Sequence, residues 1–148
     1  MKQKPFDDFA VGEVFQSYAR TITEADIVNF TCFAGLKLPL FIDEEFCKKH
    51  SPFGTRIVPG LMTASFAAGM MEDILGPYTI AALSLDGFRF IMPLKAGDTM
   101  HVSITVEDKR DTKHPERGIL SSRQDVVRQD GKVVLQFTSS FMMRKGHF

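Results

Sequence analysis

The segment that decides the fold is GLMTASFAAGMMEDIL, which runs from Gly60 to Leu75. Apolar or small residues occupy almost every position, so a helix formed by this segment would have no polar face, as is typical of a core helix. At about 1.5 Å per residue the helix would be about 24 Å long. Because the segment contains Glu72 and Asp73 and falls short of the roughly 20 apolar residues that a bilayer requires, we predict a buried helix rather than a membrane span.

The sequence after Leu83 has the pattern of β-strands. We predict strands over Ser84–Ile91, Thr99–Val106, Ile119–Arg128 and Lys132–Met143. Thr99–Val106 alternates apolar and polar residues, which is typical of a strand with one covered face. The Asp130-Gly131 pair predicts a tight hairpin between the last two strands, and the charged segment Lys109–Gly118 predicts a loop.

The sequence before Gly60 is mainly helical. Val14–Thr21 predicts a first strand, and Thr23 with the acidic residues after it predicts the start of a helix that Gly35 ends. We expect a loop over Leu36–Ile42 and then a short helix, Glu44–Lys49, with Asp43 as its cap. Helices followed by strands indicate an α+β fold rather than alternating βαβ units.

Length and composition indicate one domain over residues 1–148, long enough to bury about 70% of its unfolded surface. Eighteen basic residues balance eighteen acidic ones, and no basic stripe of the kind that binds nucleic acid is visible. Met1–Glu13 has no apolar stretch of signal-peptide length. We therefore expect a soluble, cytoplasmic protein with no membrane segment and no nucleic-acid partner.

The two cysteines, Cys32 and Cys47, are too few for a disulfide framework. Both fall in predicted helices, and we expect them to be reduced thiols in the core. Neither has a Cys-x-x-Cys partner or a histidine at the spacing of a metal ligand. We therefore predict no metal site and no cofactor.

Motifs in a fixed order along almost the whole chain resemble those of the MaoC-like acyl-thioester hydratases. They are Phe9–Glu13, Arg20–Ile27, Asp43–Phe46, Phe53–Gly60, Phe88–Phe90, Pro93, Gly97–Thr99 and Gln129–Gly131. The resemblance implies a hot-dog fold, an antiparallel sheet wrapped around one long central helix, usually as a dimer. It also implies acyl-coenzyme A thioesters as ligands and the reversible addition of water to a trans-2-enoyl thioester.

The resemblance places the acid and base of that reaction in a loop with the pattern Gly-Asp-x-Asn-Pro-x-His. Gly35 and Pro39 match the glycine and the proline. Leu36, Leu38 and Phe41 stand at the aspartate, asparagine and histidine positions. Leucine and phenylalanine can neither take a proton from water nor give one to the α-carbon, so the catalytic residues remain unassigned.

Features that the resemblance implies for binding are present. Gly60 matches the glycine whose backbone N–H polarises the thioester carbonyl, and Pro59 before it leaves that N–H intact. Arg56 stands at a family-typical position. Its side chain could form an ion pair that stabilises the loop, or it could contact a phosphate of the ligand. The substrate-binding residues that we predict are Gly60, Leu36, Phe41 and Arg56.

Three hypotheses follow for the function. The first is an acyl-coenzyme A binding protein without ordinary hydratase activity alone, which forms a homodimer or is the non-catalytic half of a heterodimer with a paralogue. The second is an active hydratase, dehydratase or related acyl-coenzyme A enzyme that uses relocated residues among Lys37, Asp43, His50 and Arg56, although each has a simpler structural role. The third is an interaction module whose cleft is filled by the three apolar side chains.

Overall fold

The computed structural model describes residues 3–148, so Met1 and Lys2 lie outside the described residues. The helices are α1 (Glu24–Ala34), α2 (Pro39–Ile42), α3 (Glu44–His50) and α4 (Gly60–Leu75), and the strands are β1 (Val14–Gln16), β2 (Arg20–Thr21), β3 (Thr79–Phe90), β4 (Thr99–Asp111), β5 (Arg117–Arg128) and β6 (Val133–Arg144). Single 3₁₀ turns occupy Phe6–Asp8 and Gly76–Tyr78. The strands form one antiparallel sheet in the order β1-β4-β5-β6-β3, and β2 also pairs with β4.

The sheet packs around α4, which confirms the α+β prediction of one long helix enclosed by antiparallel strands. Ala67 and Met70 on α4 are fully buried against the sheet, and Phe66 is half-buried beneath the guanidinium of Arg20, 3.9 Å from its ring centre. The prediction that α4 is buried on all faces is wrong for one stripe of its surface, which is exposed to solvent. Leu61 and Gly69 lie on that stripe and are exposed.

The predicted alternation on β4 is confirmed, because its apolar residues face α4 and its polar residues face outward. Met100, Val102, Ile104 and Val106 are all buried. The hairpin between β5 and β6 is also confirmed. Gly131 has a φ of +82°, which favours glycine, and its N–H donates to the carbonyl of Arg128 over 2.9 Å.

Two predicted strand boundaries in the second half of the chain are wrong. The segment Lys109–Gly118 is not a loop throughout, because β4 and β5 stay paired as far as Asp111 and Gly118. The charged residues of this segment are exposed except Lys109, which is half-buried and whose ammonium donates to the backbone carbonyl of Phe9. The strand predicted over Ser84–Ile91 begins earlier, at Thr79.

Two predictions in the first half also need correction. The strand predicted over Val14–Thr21 is divided into β1 and β2, because the Ser17 hydroxyl accepts a hydrogen bond from the N–H of Val102 (2.9 Å) and interrupts the ladder. The loop predicted over Leu36–Ile42 contains the one-turn helix α2. Pro39 begins that turn, a position where its missing N–H costs no hydrogen bond.

The predicted start and end of α1 are confirmed. Thr23 and Asp26 form a reciprocal capping box, and Gly35 ends the helix with a φ of +67°. Cys47 is buried, as expected, but Cys32 is exposed. The prediction of two core thiols is therefore wrong for Cys32, which lies on the outer side of α1.

A polar cluster lies inside the otherwise apolar core, where β5 and β6 pair. The Gln124 side chain is fully buried and donates from Nε2 to the hydroxyls of Ser122 (2.6 Å) and Ser139 (2.9 Å). Its Oε1 has no hydrogen-bond partner among the described residues. The cluster therefore satisfies the amide donor but leaves the acceptor unpaired.

Candidate functional site

A cleft of about 450 Å³ opens at the N-terminus of α4. Its walls come from α2, the segment before α4, the end of β3 with the residues after it, and the start of β6. The lining residues are Phe41, Phe53, Ile57, Val58, Gly60, Leu61, Thr63, Phe90, Ile91, Met92, Pro93, Leu94, Val134 and Leu135. Every lining residue except Thr63 has an apolar side chain or none, so the cleft suits an apolar ligand.

The helix start at this cleft leaves two backbone N–H groups without a hydrogen bond among residues 3–148. The carbonyl of Pro59 accepts from the N–H groups of Met62 (3.0 Å) and Thr63 (3.2 Å). The N–H groups of Gly60 and Leu61 precede these and have no intrahelical acceptor, and no side chain caps the helix. These free donors and the positive end of the helix dipole favour a ligand oxygen with negative charge.

The segment before Gly60 is fixed by backbone hydrogen bonds on both sides. The N–H of Ile57 donates to the carbonyl of Leu40 (3.1 Å), and the N–H of Val58 donates to the carbonyl of Leu94 (2.8 Å). These contacts fix the backbone just before Gly60, which is a lining residue of the cleft.

Arg56 ties this segment to two helices. Its guanidinium contacts Glu44 (Nε to Oε2, 3.0 Å) and Glu24 (Nη2 to Oε1, 2.7 Å). Glu44 also accepts from the Thr55 hydroxyl (2.7 Å). The hydrogen bonds from Thr55 and Arg56 hold the pKa of Glu44 at about 2. In the structure, Arg56 therefore links the segment before α4 to α1 and α3. Contact between Arg56 and a ligand phosphate stays a prediction.

The residues at the family's acid and base positions are not gathered at one point. Phe41 lines the cleft, whereas Leu36 and Leu38 do not. Leu36 is half-buried and Leu38 is mostly exposed. Neither leucine fills the cleft, which remains an open space in the described part of the chain.

The titratable residues considered for a relocated mechanism lie outside the cleft lining. Asp43 caps α3 by accepting from the N–H of Phe46 (2.8 Å). His50 ends α3 with its ring 5.1 Å from that of Phe46, and Lys37 is exposed. Within residues 3–148, no three His, Cys, Asp or Glu side chains are placed to hold a metal ion.

Sequence reasoning missed Thr63. Its side chain is 4% exposed, and it lines the cleft one helical turn after Gly60. The spacing of three residues from Gly60 on a predicted helix was a usable signal, because residues at i and i+3 share a face. It escaped notice because threonine also fits an ordinary helix surface.

A family model described as "MaoC like domain" matches residues 8–127. This chain belongs to the MaoC-like family. The MaoC protein of Klebsiella aerogenes is 37% identical over 107 residues, which cover 72% of this chain and 32% of that protein. The 3-hydroxybutyryl-CoA dehydratase of Methylorubrum extorquens is 31% identical over 104 residues, which cover 70% of this chain and 64% of that enzyme. This MaoC-like chain therefore matches only part of each of these relatives.

Solved structures share the whole architecture of this MaoC-like chain. A protein from Archaeoglobus described as a monoamine oxidase regulatory protein has a TM-score of 0.88 at 31% identity, with 98% of this chain and 97% of that chain covered. The R-hydratase PhaJ1 of Pseudomonas aeruginosa has a TM-score of 0.77 at 26% identity, with 96% of this chain and 86% of that chain covered. The hot-dog fold that the motifs implied is confirmed. No helix among the described residues is long and apolar enough to span a membrane.

Proposed function

We propose that this MaoC-like chain binds acyl-coenzyme A thioesters in the cleft at Gly60 and has no ordinary enoyl-thioester hydratase activity alone. One observation carries the proposal: the cleft has free backbone donors at a helix start, but none of its lining residues is titratable. Backbone donors can polarise a thioester carbonyl. Hydration also needs a proton acceptor and a proton donor, and the lining side chains provide neither.

The names of the relatives support this ligand class. A 3-hydroxybutyryl-CoA dehydratase and an R-hydratase are among the proteins that the chain resembles. The apolar lining suits an acyl chain, and the helix start suits the thioester oxygen. Gly60 and Phe41, which line the cleft, would contact the ligand, whereas Leu36 does not line it and Arg56 holds the segment before Gly60 through its ion pairs.

We further propose that the chain works as a homodimer or as the non-catalytic half of a heterodimer with a paralogue. The edge strand β3 has no strand partner on its outer side among residues 3–148. It exposes Ile80, Leu83 and Leu85, each to between 45% and 47%. A long apolar sheet edge is protected most simply by another strand, and a paralogue with an intact acid–base loop would supply the missing chemistry.

The test is calorimetric titration with butyryl-coenzyme A and free coenzyme A, together with an absorbance assay of crotonyl-coenzyme A hydration. We expect saturable binding that depends on the acyl group, and hydration at no more than the background rate. Failure of every acyl thioester to bind would favour the interaction-module hypothesis. Robust turnover by the unmodified chain would favour relocated residues instead.

A further inference from the structure

Thr63 has the only polar side chain among the residues that line the cleft. Its residue surface is 96% buried, since 4% remains exposed. Its hydroxyl forms no hydrogen bond within residues 3–148, where only Thr79 Oγ1 and Gln124 Oε1 are both sealed from solvent and unpaired. The Thr63 hydroxyl is therefore not fully sealed from solvent, and Thr63 is a lining residue of the cleft.

Water can satisfy a hydroxyl that solvent reaches, but a ligand that displaces this water leaves the hydroxyl unpaired unless the ligand itself forms a hydrogen bond with it. A purely hydrocarbon chain would cover the Thr63 hydroxyl without bonding it. A ligand with an oxygen at the right distance from its carbonyl would pair both the helix N–H groups and the hydroxyl.

We propose that Thr63 determines specificity by hydrogen-bonding an oxygen on the third carbon of the acyl chain. The cleft then selects 3-hydroxyacyl or 3-oxoacyl thioesters over saturated ones. This inference rests on the proposed function, because it assumes that the thioester carbonyl accepts from the N–H of Gly60.

The geometry of α4 supports this assignment. Three residues advance the helix by about 4.5 Å along its axis and return to the same face. In a 3-oxygenated thioester, one carbon separates the carbonyl carbon from the carbon that bears the second oxygen. The two oxygens therefore reach successive positions along one helix face, and a hydroxyl can donate to a ketone or pair with an alcohol. The remaining lining is apolar and suits the rest of the chain.

The experiment compares wild type, Thr63→Val and Thr63→Ser in titrations with butyryl-, 3-hydroxybutyryl- and acetoacetyl-coenzyme A. Thr63→Val keeps the shape and removes the hydroxyl, while Thr63→Ser keeps the hydroxyl. We expect Thr63→Val to weaken binding of at least one oxygenated ligand by about 5- to 10-fold, as for one lost hydrogen bond. Butyryl-coenzyme A affinity should change by less than about twofold, and Thr63→Ser should retain the preference.

The outcomes separate this inference from the proposed function. If butyryl-coenzyme A binds wild type but Thr63→Val leaves the affinity for both oxygenated ligands unchanged, the specificity role is wrong. An equal loss for all three ligands also overturns it, because that result indicates a structural role. If no thioester binds wild type, the proposed function itself is wrong. Thermal melting of each variant checks that the fold is intact.

Discussion

The ring of Phe90 lies against the α-carbon of Gly60, so closely that a β-carbon added to Gly60 would come within 2.5 Å of two ring atoms. Phe90 is the last residue of β3, and its ring is stacked on that of Phe88, with ring centres 6.1 Å apart. The missing side chain at position 60 therefore lets β3 and the start of α4 meet at the cleft.

Gly60→Ala should weaken acyl-coenzyme A binding by about 10-fold or more. The added methyl group would displace the Phe90 ring and crowd the free N–H groups. Because that ring is 55% exposed and can turn away, the melting temperature should fall only slightly. Titration with butyryl-coenzyme A and thermal melting measure the two effects.

Gly69→Ala is the matched control for Gly60→Ala on the same helix. A β-carbon at Gly69 has no neighbour within 4 Å, so this change should raise the free energy of unfolding by about 0.5–1 kcal/mol and leave binding unchanged. Adding Phe90→Ala to Gly60→Ala should recover part of the lost affinity. Unchanged binding in Gly60→Ala would show that the ligand does not use this helix start.

Leu36→Asp with Phe41→His should give the chain measurable hydration of crotonyl-coenzyme A above that of wild type. The pair restores a carboxylate and an imidazole at the positions where the family carries them, and a general acid or base typically contributes about 10²–10⁴-fold. Leu38→Asp with Phe41→His is the control, because Leu38 stands at the family's asparagine position rather than its aspartate position and is more exposed than Leu36. No gain from the first pair would count against a productive ligand position at Gly60.

Leu83→Lys should convert a dimer to a monomer. The side chain is 46% exposed on the edge strand β3, and a charge there opposes strand addition. Val14→Lys, on the opposite edge of the sheet and 61% exposed, should leave the mass unchanged. Light scattering at micromolar concentration measures both variants, and a monomeric wild type would contradict self-association.

Ala67→Leu should lower the free energy of unfolding by about 1–3 kcal/mol, because Ala67 is fully buried between α4 and the sheet and extra volume strains a packed core. The neighbouring Ala68 is half-buried and borders a second cavity of about 630 Å³. Ala68→Leu should therefore have a smaller effect in the same urea titration. Equal losses for the two variants would contradict this packing.

Glu44→Gln should make stability less dependent on pH below 4.5. The Thr55 hydroxyl and Arg56 hold the pKa of Glu44 at about 2, below its ordinary value of 4.5. Wild type keeps this contribution above pH 4.5 and loses it as the pH falls to about 2, because the unfolded chain takes up the proton first. Melting temperatures across this range measure the slope. Glu45→Gln removes the same charge from an exposed pair with Lys48, and an identical slope change in both variants would contradict the assignment.

Local sequence patterns were enough to predict α4, the alternation along the first half of β4 and the β5–β6 hairpin. The spacing of apolar residues indicates the helix α4 and the strand β4, and the Asp130-Gly131 turn indicates the hairpin. Prediction failed where tertiary contacts decide the boundary. Arg110 and Asp111 resemble the start of a loop, but they stay in β4 because β4 and β5 pair as far as Asp111 and Gly118. Ser17 resembles an ordinary strand residue, yet its hydroxyl replaces a ladder contact.

The candidate site was partly predictable. Gly60 lies in the cleft as a helix start, and Phe41 lines it, both from positions that the motif spacing identified. The ion pairs of Arg56 with two different helices depend on how those helices pack, which spacing alone does not give. Thr63 was missed because a threonine also fits an ordinary helix surface, and only the folded structure shows that it is the one polar side chain in the cleft lining.

The cluster of Gln124, Ser122 and Ser139 constrains which strand pairings the chain can accept. Sliding β5 by one residue would turn Gln124 outward and bring Arg123 or Asp125 into the core, since neighbouring strand residues face opposite sides. A buried charge without a partner is far more costly than the one unpaired amide oxygen of the native cluster. Misregistered hairpins formed during folding should therefore be short-lived, and the chain is protected against permanent strand-slipped forms.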